Sequence, residues 1–116
     1  ITLTAAGAVC FLLQPRNDAP PPPMARRLIA ALRRLIPTGE PADGPNYYQH
    51  YFVGKAFELA ADADALQRLA ASRTRWQNCQ VAAGPTAGSW ESVDPWGGVG
   101  GRVYSTALAS LAWPAP

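Results

Sequence analysis

The chain has 116 residues, which is enough for one small domain that buries about two thirds of its unfolded surface. A net charge of +2 and 16% charged residues leave no basic stripe, so a nucleic-acid binder is not indicated. There is no run of about 18 apolar residues, and the apolar segment 3–13 lacks a basic flank, so neither a membrane span nor a leader peptide is predicted. Because the chain begins with Ile1 and not with a methionine, we expect it to be a fragment of a longer protein.

Two helices are expected before the middle of the chain. Thr4 can cap a first helix over residues 5–13, and the turn-forming residues that follow would end it. Residues 14–23 are predicted to form a loop that closes with four consecutive prolines, a stiff non-helical spacer. Residues 24–36 then alternate a leucine and isoleucine stripe with four arginines, which is typical of an amphipathic helix.

Three further helices are predicted in the second half. After a loop over residues 37–45, Asn46 can cap a helix over residues 47–60. Asp62 or Asp64 can cap a fourth helix, expected to run past Gln80 to the stop at residues 84–85. A fifth helix, rich in small residues, is predicted over residues 101–111. Period-two alternation is missing, so the sequence predicts an all-α fold of about five helices in one domain over residues 1–116.

The character of the helices alternates along the chain. The first, third and fifth predicted helices are apolar or aromatic, whereas the second and fourth are charged and amphipathic. This order favours two layers, with the apolar helices as inner neighbours and the charged helices outside them. An open array of this kind would leave the flank of its first helix uncovered, so we expect the isolated chain to self-associate or to need upstream sequence.

A motif in the second half resembles a known repeat. It consists of Gln80, seven residues, Gly88-Ser89-Trp90, and then Gly-Gly-Arg102-x-Tyr104-x-Thr-Ala-Leu-Ala. This resembles the QW-like repeat of the α/α-toroid (terpenoid cyclase) superfamily, in particular the squalene-cyclase-like prenyltransferase-repeat proteins of bacteria. The resemblance covers essentially the whole chain and implies a partial α/α toroid of alternating inner and outer helices. It also implies that the chain is the C-terminal portion of a longer toroid protein. The gap between Gln80 and Gly88 is wider than in the cyclase motif.

The motif itself has a structural interpretation. The amide of Gln80 can satisfy backbone groups while its flat face lies against the ring of Trp90, and Gly88 permits the turn between them. Gln80, Gly88 and Trp90 are therefore predicted to fasten the loop to the helices. We expect Gln80 and Trp90 to be in contact and Trp90 to be largely buried.

The predicted helix starts, where toroid enzymes hold their reactive groups, carry no recognisable set of catalytic residues. The resemblance would require an Asp-x-Asp-Asp acid for a cyclase, and the nearest match, Asp62-Ala63-Asp64, fits a helix cap better. A prenyltransferase would need a zinc-binding histidine where Ser105 stands. We therefore predict no catalytic, cofactor-binding or metal-binding residue. The candidate cavity lining is Tyr47, Tyr48, His50, Tyr51, Trp96, Arg102 and Tyr104.

The two cysteines, Cys10 and Cys79, are far apart in the sequence and neither belongs to a CxxC motif. We expect two thiols buried in helices, with a disulfide or a metal site as the alternatives. Their redox state and the compartment of the protein stay open.

The favoured function is a non-catalytic scaffold or binding module that contacts the upstream part of the same toroid or a protein partner. One alternative is a piece of an isoprenoid (triterpene) cyclase whose acid lies outside this chain. The other is a binder of an apolar small molecule, since aromatic walls also suit such ligands.

Overall fold

The computed structural model describes residues 1–15, 19–36 and 45–112. The regular structure of these residues is five helices: α1 (Thr2–Leu12), α2 (Pro23–Leu35), α3 (Tyr47–Leu59), α4 (Ala63–Gln77) and α5 (Gly97–Leu111). Within the described ranges there is no β-strand, and Gln80 and Trp90 form an isolated antiparallel bridge. The all-α prediction is confirmed. Most of the predicted loop over 37–45 lies outside the described residues, as do residues 16–18 of the first loop.

The first two helices begin earlier than the sequence suggested. Helix α1 has Ile1 at its N-cap with no side-chain cap, so Thr4 lies inside the helix and the prediction that it caps α1 was wrong. Pro23 occupies the first turn of α2 rather than the spacer. A proline is tolerated there because its fixed φ is helical and its missing N–H would have had no intrahelical acceptor.

Two side-chain caps determine where α3 and α4 begin. The Oδ1 atom of Asn46 accepts a hydrogen bond of 2.9 Å from the backbone N–H of Gln49, as predicted. For α4 the cap is Asp62, whose Oδ1 accepts from the N–H of Ala65 at 3.2 Å. The second carboxylate oxygen of Asp62 accepts from Nε of Arg33, so the same residue also ties α4 to α2.

The last two helices depart from their predicted limits. Helix α4 ends at Gln77, so Gln80 is not part of it, contrary to the sequence-based prediction. Helix α5 starts at Gly97 but bends at Gly101, where φ is 67° and ψ is −171°. A positive φ of this kind is easily adopted by glycine, and the straight part of α5 beyond the bend matches the predicted fifth helix.

Helix α3 is the centre of the packing. It contacts all four other helices, with α1 and α5 as neighbours, while α2 packs mainly on α1 and α4 packs on α3. The contacts agree with the predicted neighbour order of the first, third and fifth helices. The larger core lies among the first four helices, where Phe57 is fully buried and Leu32 nearly so.

A second core cluster joins α3 and α5. Tyr47, Trp76, Trp90 and Ala109 are buried together, and Leu108 and Ala112 pack against them. This smaller cluster holds the C-terminal third of the chain, because α5 makes its main helix contacts with α3.

The double role of Asp62 can be tested by substitution. Asp62→Ala should destabilise the protein by about 1 kcal/mol through loss of the cap, with a further loss from the contact to Arg33. Chemical denaturation monitored by circular dichroism measures this change. Asp64→Ala is the matched control, since Asp64 is an exposed residue in the first turn of α4. An equal effect of the two substitutions would contradict the assignment of Asp62 as the cap.

Candidate functional site

Trp90 connects the end of α4 to α5. Its indole Nε1 donates a hydrogen bond of 2.9 Å to the carbonyl oxygen of Trp76, in the last turn of α4. Its backbone N–H donates to Oγ1 of Thr106 on α5 at 3.1 Å. Only 9% of Trp90 is exposed. A large indole can be buried in a loop here because its polar atom has a partner.

The loop before Trp90 is closed by backbone pairing. Gln80 and Trp90 face each other in the antiparallel bridge. The N–H of Val81 donates to the carbonyl oxygen of Ser89 at 2.8 Å, and the N–H of Gly88 donates to the carbonyl oxygen of Val81 at 2.8 Å. The Nε2 of Gln80 donates to the carbonyl oxygen of Gly88 at 2.5 Å. Gly88 has a φ of 85°, which a side chain would strain. The three motif residues are thus brought together, with the Gln80 amide on the Gly88 backbone.

His50 lies behind this loop against α4. Its ring centroid is 4.0 Å from that of Trp76, and its Nδ1 is 3.1 Å from the carbonyl oxygen of Asn46. Because a carbonyl can only accept, Nδ1 carries the hydrogen and the ring is held in one tautomer. Burial lowers the pKa of His50, and the hydrogen bond to Asn46 opposes that shift.

The residues of the predicted cavity lining are found in different surroundings. Tyr47 is fully buried with its ring 5.3 Å from that of Trp76, whereas Tyr48 and Tyr51 pack on Phe52 at 4.8 and 5.1 Å. Trp96 is 56% exposed. A cleft of about 230 Å³ between α3 and the end of α5 is lined by Tyr51, Gly54, Lys55, Glu58, Leu111 and Ala112.

The two remaining members of the predicted lining lie on α5. Arg102 donates to Glu91 at 2.9 Å and to the hydroxyl of Ser89 at 3.2 Å, so it braces the loop. Tyr104 is partly buried. Its burial is the main cause that raises its pKa, and the negative charge of Asp94 raises it further. A Cβ at Gly100 would collide with the Tyr104 ring, which explains the glycine there.

Three buried polar atoms stand out on α3, on α5 and in the loop before α5. They are the hydroxyls of Tyr47 and Ser105 and the Oδ2 atom of Asp94, and no hydrogen-bond partner for them is found in the described part of the chain. Sequence reasoning missed Asp94, because an aspartate before a proline in a glycine-rich loop is typical of a turn. It does form such a turn, since its Oδ1 accepts from the N–H of Trp96 at 3.2 Å.

Other site chemistry can be stated for the described ranges. No group of three or more His, Cys, Asp or Glu side chains there is placed to hold a metal ion. No described helix combines the length and apolar character needed to cross a bilayer.

Cys10 and Cys79 are both exposed free thiols, so the prediction of two buried cysteines was wrong. Cys10 lies on the outer face of α1, and Cys79 comes after the end of α4.

No known protein family, curated protein or solved structure matches this chain. The kinship with the toroid superfamily therefore stays a prediction from the motif.

Removal of the Trp90 side chain should test the junction. Trp90→Ala is expected to cost about 3 kcal/mol of folding free energy, since it leaves a cavity. It also removes a hydrogen bond that the carbonyl of Trp76 accepts, while that carbonyl keeps the one from the N–H of Cys79. Urea unfolding followed by far-ultraviolet circular dichroism gives the value. Trp96→Ala, at an exposed indole, should change stability by no more than about 0.5 kcal/mol. Similar losses for the two substitutions would mean that Trp90 does not hold α5 in place.

The stability of the protein should fall on mild acidification because of His50. Its pKa is lowered in the folded state from the ordinary value of 6.5, so the unfolded chain binds a proton first as the pH falls. Stability is therefore fully present above about pH 6.5 and decreases as the pH drops toward the folded-state pKa. Thermal melts across this range should show the decrease, and His50→Phe should reduce it. A variant with an unchanged pH profile would contradict this role.

Proposed function

We propose that this chain is a non-catalytic scaffold of the α/α-toroid type that binds protein through the two ends of its helical array. The observation that carries the proposal is the exposure of apolar stripes on α1 and α5, the two inner helices that flank α3. Helices of a soluble protein ordinarily turn such stripes toward the core, and larger exposed patches mark interaction surfaces.

The stripe on α1 consists of Leu3, Cys10 and Leu13. Leu3 is 88% exposed and Leu13 is 61% exposed, and Cys10 between them is also exposed. Their spacings of seven and three residues place them on one side of a helix. Ala5, Ala8, Val9 and Leu12 are buried in the core, so α1 carries apolar residues on two sides.

The stripe on α5 consists of Val103, Ala107 and Leu111. Val103 is 83% exposed and Leu111 is 63% exposed, and they are separated by two turns with exposed Ala107 between them. Ser105 and Ala109 face the core from the other side of the same helix. The array thus has an apolar face at each end, α1 on one side and α5 on the other.

Head-to-tail docking of a second copy of the chain would cover these faces, because the α5 stripe of one copy would meet the α1 stripe of the other. Inside one copy, α3 contacts both α1 and α5, the other two helices predicted to be inner. Packing the α5 stripe of one copy on the α1 stripe of the next would continue the same arrangement of inner helices. Repeat proteins bury their faces by this kind of stacking, and a head-to-tail contact leads to a ring or an open chain.

The apolar small-molecule alternative has less support. The aromatic residues predicted to line one cavity are divided between a buried cluster around Trp76, a surface group on Phe52 and the exposed Trp96. An apolar ligand needs a concave site that buries most of its surface. The division favours packing as the role of these rings.

Head-to-tail docking makes a specific prediction for two variants, each of which has one apolar stripe interrupted by a charged side chain. Leu3→Glu disables the α1 stripe and Val103→Glu disables the α5 stripe, and both substitutions are at exposed positions. The unmodified chain should be larger than a monomer at micromolar concentration, and each variant alone should be monomeric. An equimolar mixture should form a one-to-one heterodimer, because each variant retains the face that the other lacks. Multi-angle light scattering measures all four samples.

Ala70→Glu, at an exposed position on α4, controls for the added charge and should still associate. Circular dichroism spectra should coincide for all variants. A monomeric unmodified chain would contradict the proposal. Association of Val103→Glu with itself, without a gain on mixing, would instead show a symmetric contact through α1 and would also contradict it.

A further inference from the structure

A recess of about 240 Å³ lies between one face of α2 and the ends of α1 and α3. Leu12, the last residue of α1, and Ala60, the residue that follows α3, both line it. The rest of the lining is Pro21 and five residues of α2, of which two are alanines. Because an alanine side chain ends at its methyl group, these positions leave space that a longer side chain would fill.

Buried apolar residues and exposed cations share this recess. Leu12, Ala25 and Ile29 line it and are at most 8% exposed. Arg26 and Arg33 line it as well, and both are exposed. Their separation of seven residues is about two helical turns, which places them on the same side of α2. The recess therefore has an apolar interior and two guanidinium groups at its opening.

The two arginines differ in the partners that they have. Arg33 donates from Nε to the carboxylate of Asp62, a buried residue that caps α4. The other ion pairs within the described ranges involve Lys55 and Arg102, so the guanidinium of Arg26 belongs to none of them. No acidic residue of the described ranges lines the recess. Arg26 thus supplies one positive charge that the described part of the chain leaves uncompensated.

We propose that this recess binds a small aliphatic monocarboxylate, with the alkyl chain against the buried apolar residues and the carboxylate on Arg26. A guanidinium matches the geometry of a carboxylate with two parallel N–H donors, and a single negative charge balances the charge of Arg26. Burial of the alkyl chain against Leu12 and Ile29 supplies the apolar contribution. An enclosed cavity of about 150 Å³ holds benzene, so a recess of about 240 Å³ suits a ligand of about ten non-hydrogen atoms, the size of an eight-carbon acid.

The site is separate from the faces through which we propose that the scaffold binds protein. None of the stripe residues on α1 and α5 lines the recess, and neither does any of the aromatic residues predicted to line a cavity. A bound carboxylate and a bound second copy would therefore occupy different parts of the surface. Ligand binding would thus be a second property of the chain, independent of the scaffold role.

Nuclear magnetic resonance titration of the full chain with three probes tests the site. The probes are octanoate, octanamide, which keeps the alkyl part but has a neutral head group, and acetate, which keeps only the head group. Octanoate should bind with a Kd on the order of 1 mM, octanamide about tenfold more weakly, and acetate without saturation. The backbone amide signals of Ala25, Ile29 and Ala60 should shift most. Equal affinity for octanoate and octanamide, or largest shifts around Leu3 or Val103, would overturn the proposal.

Three substitutions on α2 separate the charge from the apolar part. Arg26→Gln should weaken octanoate binding about tenfold and leave octanamide binding unchanged, because it removes only the cation. Arg27→Gln is the matched control, since Arg27 is also exposed but does not line the recess, and it should leave both affinities unchanged. Ala30→Leu, at an exposed position where leucine keeps the helix, should fill the recess and abolish the binding of both probes. Equal effects of the two arginine substitutions, or full binding by the Ala30→Leu chain, would each contradict the site.

Self-association is measured in the same samples. Val103→Glu interrupts the α5 stripe and should leave the Kd for octanoate unchanged, because Val103 does not line the recess. Multi-angle light scattering of each sample reports the association state, so loss of octanoate binding and loss of association are recognised separately. A Kd that changes with Val103→Glu would place the ligand on the stripe and would overturn the proposal.

Discussion

The hydrogen bond from the Trp90 indole to the carbonyl of Trp76 is the contact on which the second half of this fold depends. It fixes the end of α4 to the loop, and the backbone of Trp90 then fixes the loop to Thr106 on α5. Tyr47 packs its ring edge against Trp76 from the start of α3. Because α5 has α3 as its main helix neighbour, loss of this cluster would free the whole C-terminal helix.

The architecture explains why the end helices are exposed. Helix α3 contacts every other helix, while α1 and α5 each present an apolar stripe on the side away from it. An array of this kind has no intrinsic end, since the packing that joins one inner helix to the next can be repeated. The scaffold role that we propose requires no catalytic group, and it accounts for the stripes of Leu3 and Val103 in the same way.

Polar atoms are buried on and near the two helices that the smaller core cluster joins, α3 and α5. The hydroxyls of Tyr47 and Ser105 and Oδ2 of Asp94 have no hydrogen-bond partner among the described residues. Most buried polar groups are hydrogen-bonded, so these atoms distinguish this part of the fold from the apolar core of the first four helices.

The sequence by itself determined that the described ranges form five helices, that Asn46 caps α3 and that Gln80 lies next to Trp90, because each rests on local periodicity or on a motif with fixed spacing. It misplaced the starts of α1 and α2 and the end of α4. It left open which of Asp62 and Asp64 caps α4, since both precede a helical pattern and only the position of Arg33 on α2 favours the first. It failed for Thr4, which lies inside α1, and for the cysteines. Cys10 is on a face of α1 that meets no neighbour among the described residues, and Cys79 follows the end of α4. The burial of Asp94 was decided by tertiary structure alone, because an aspartate in a turn before a proline is ordinarily exposed and only the packing of the folded chain covers it.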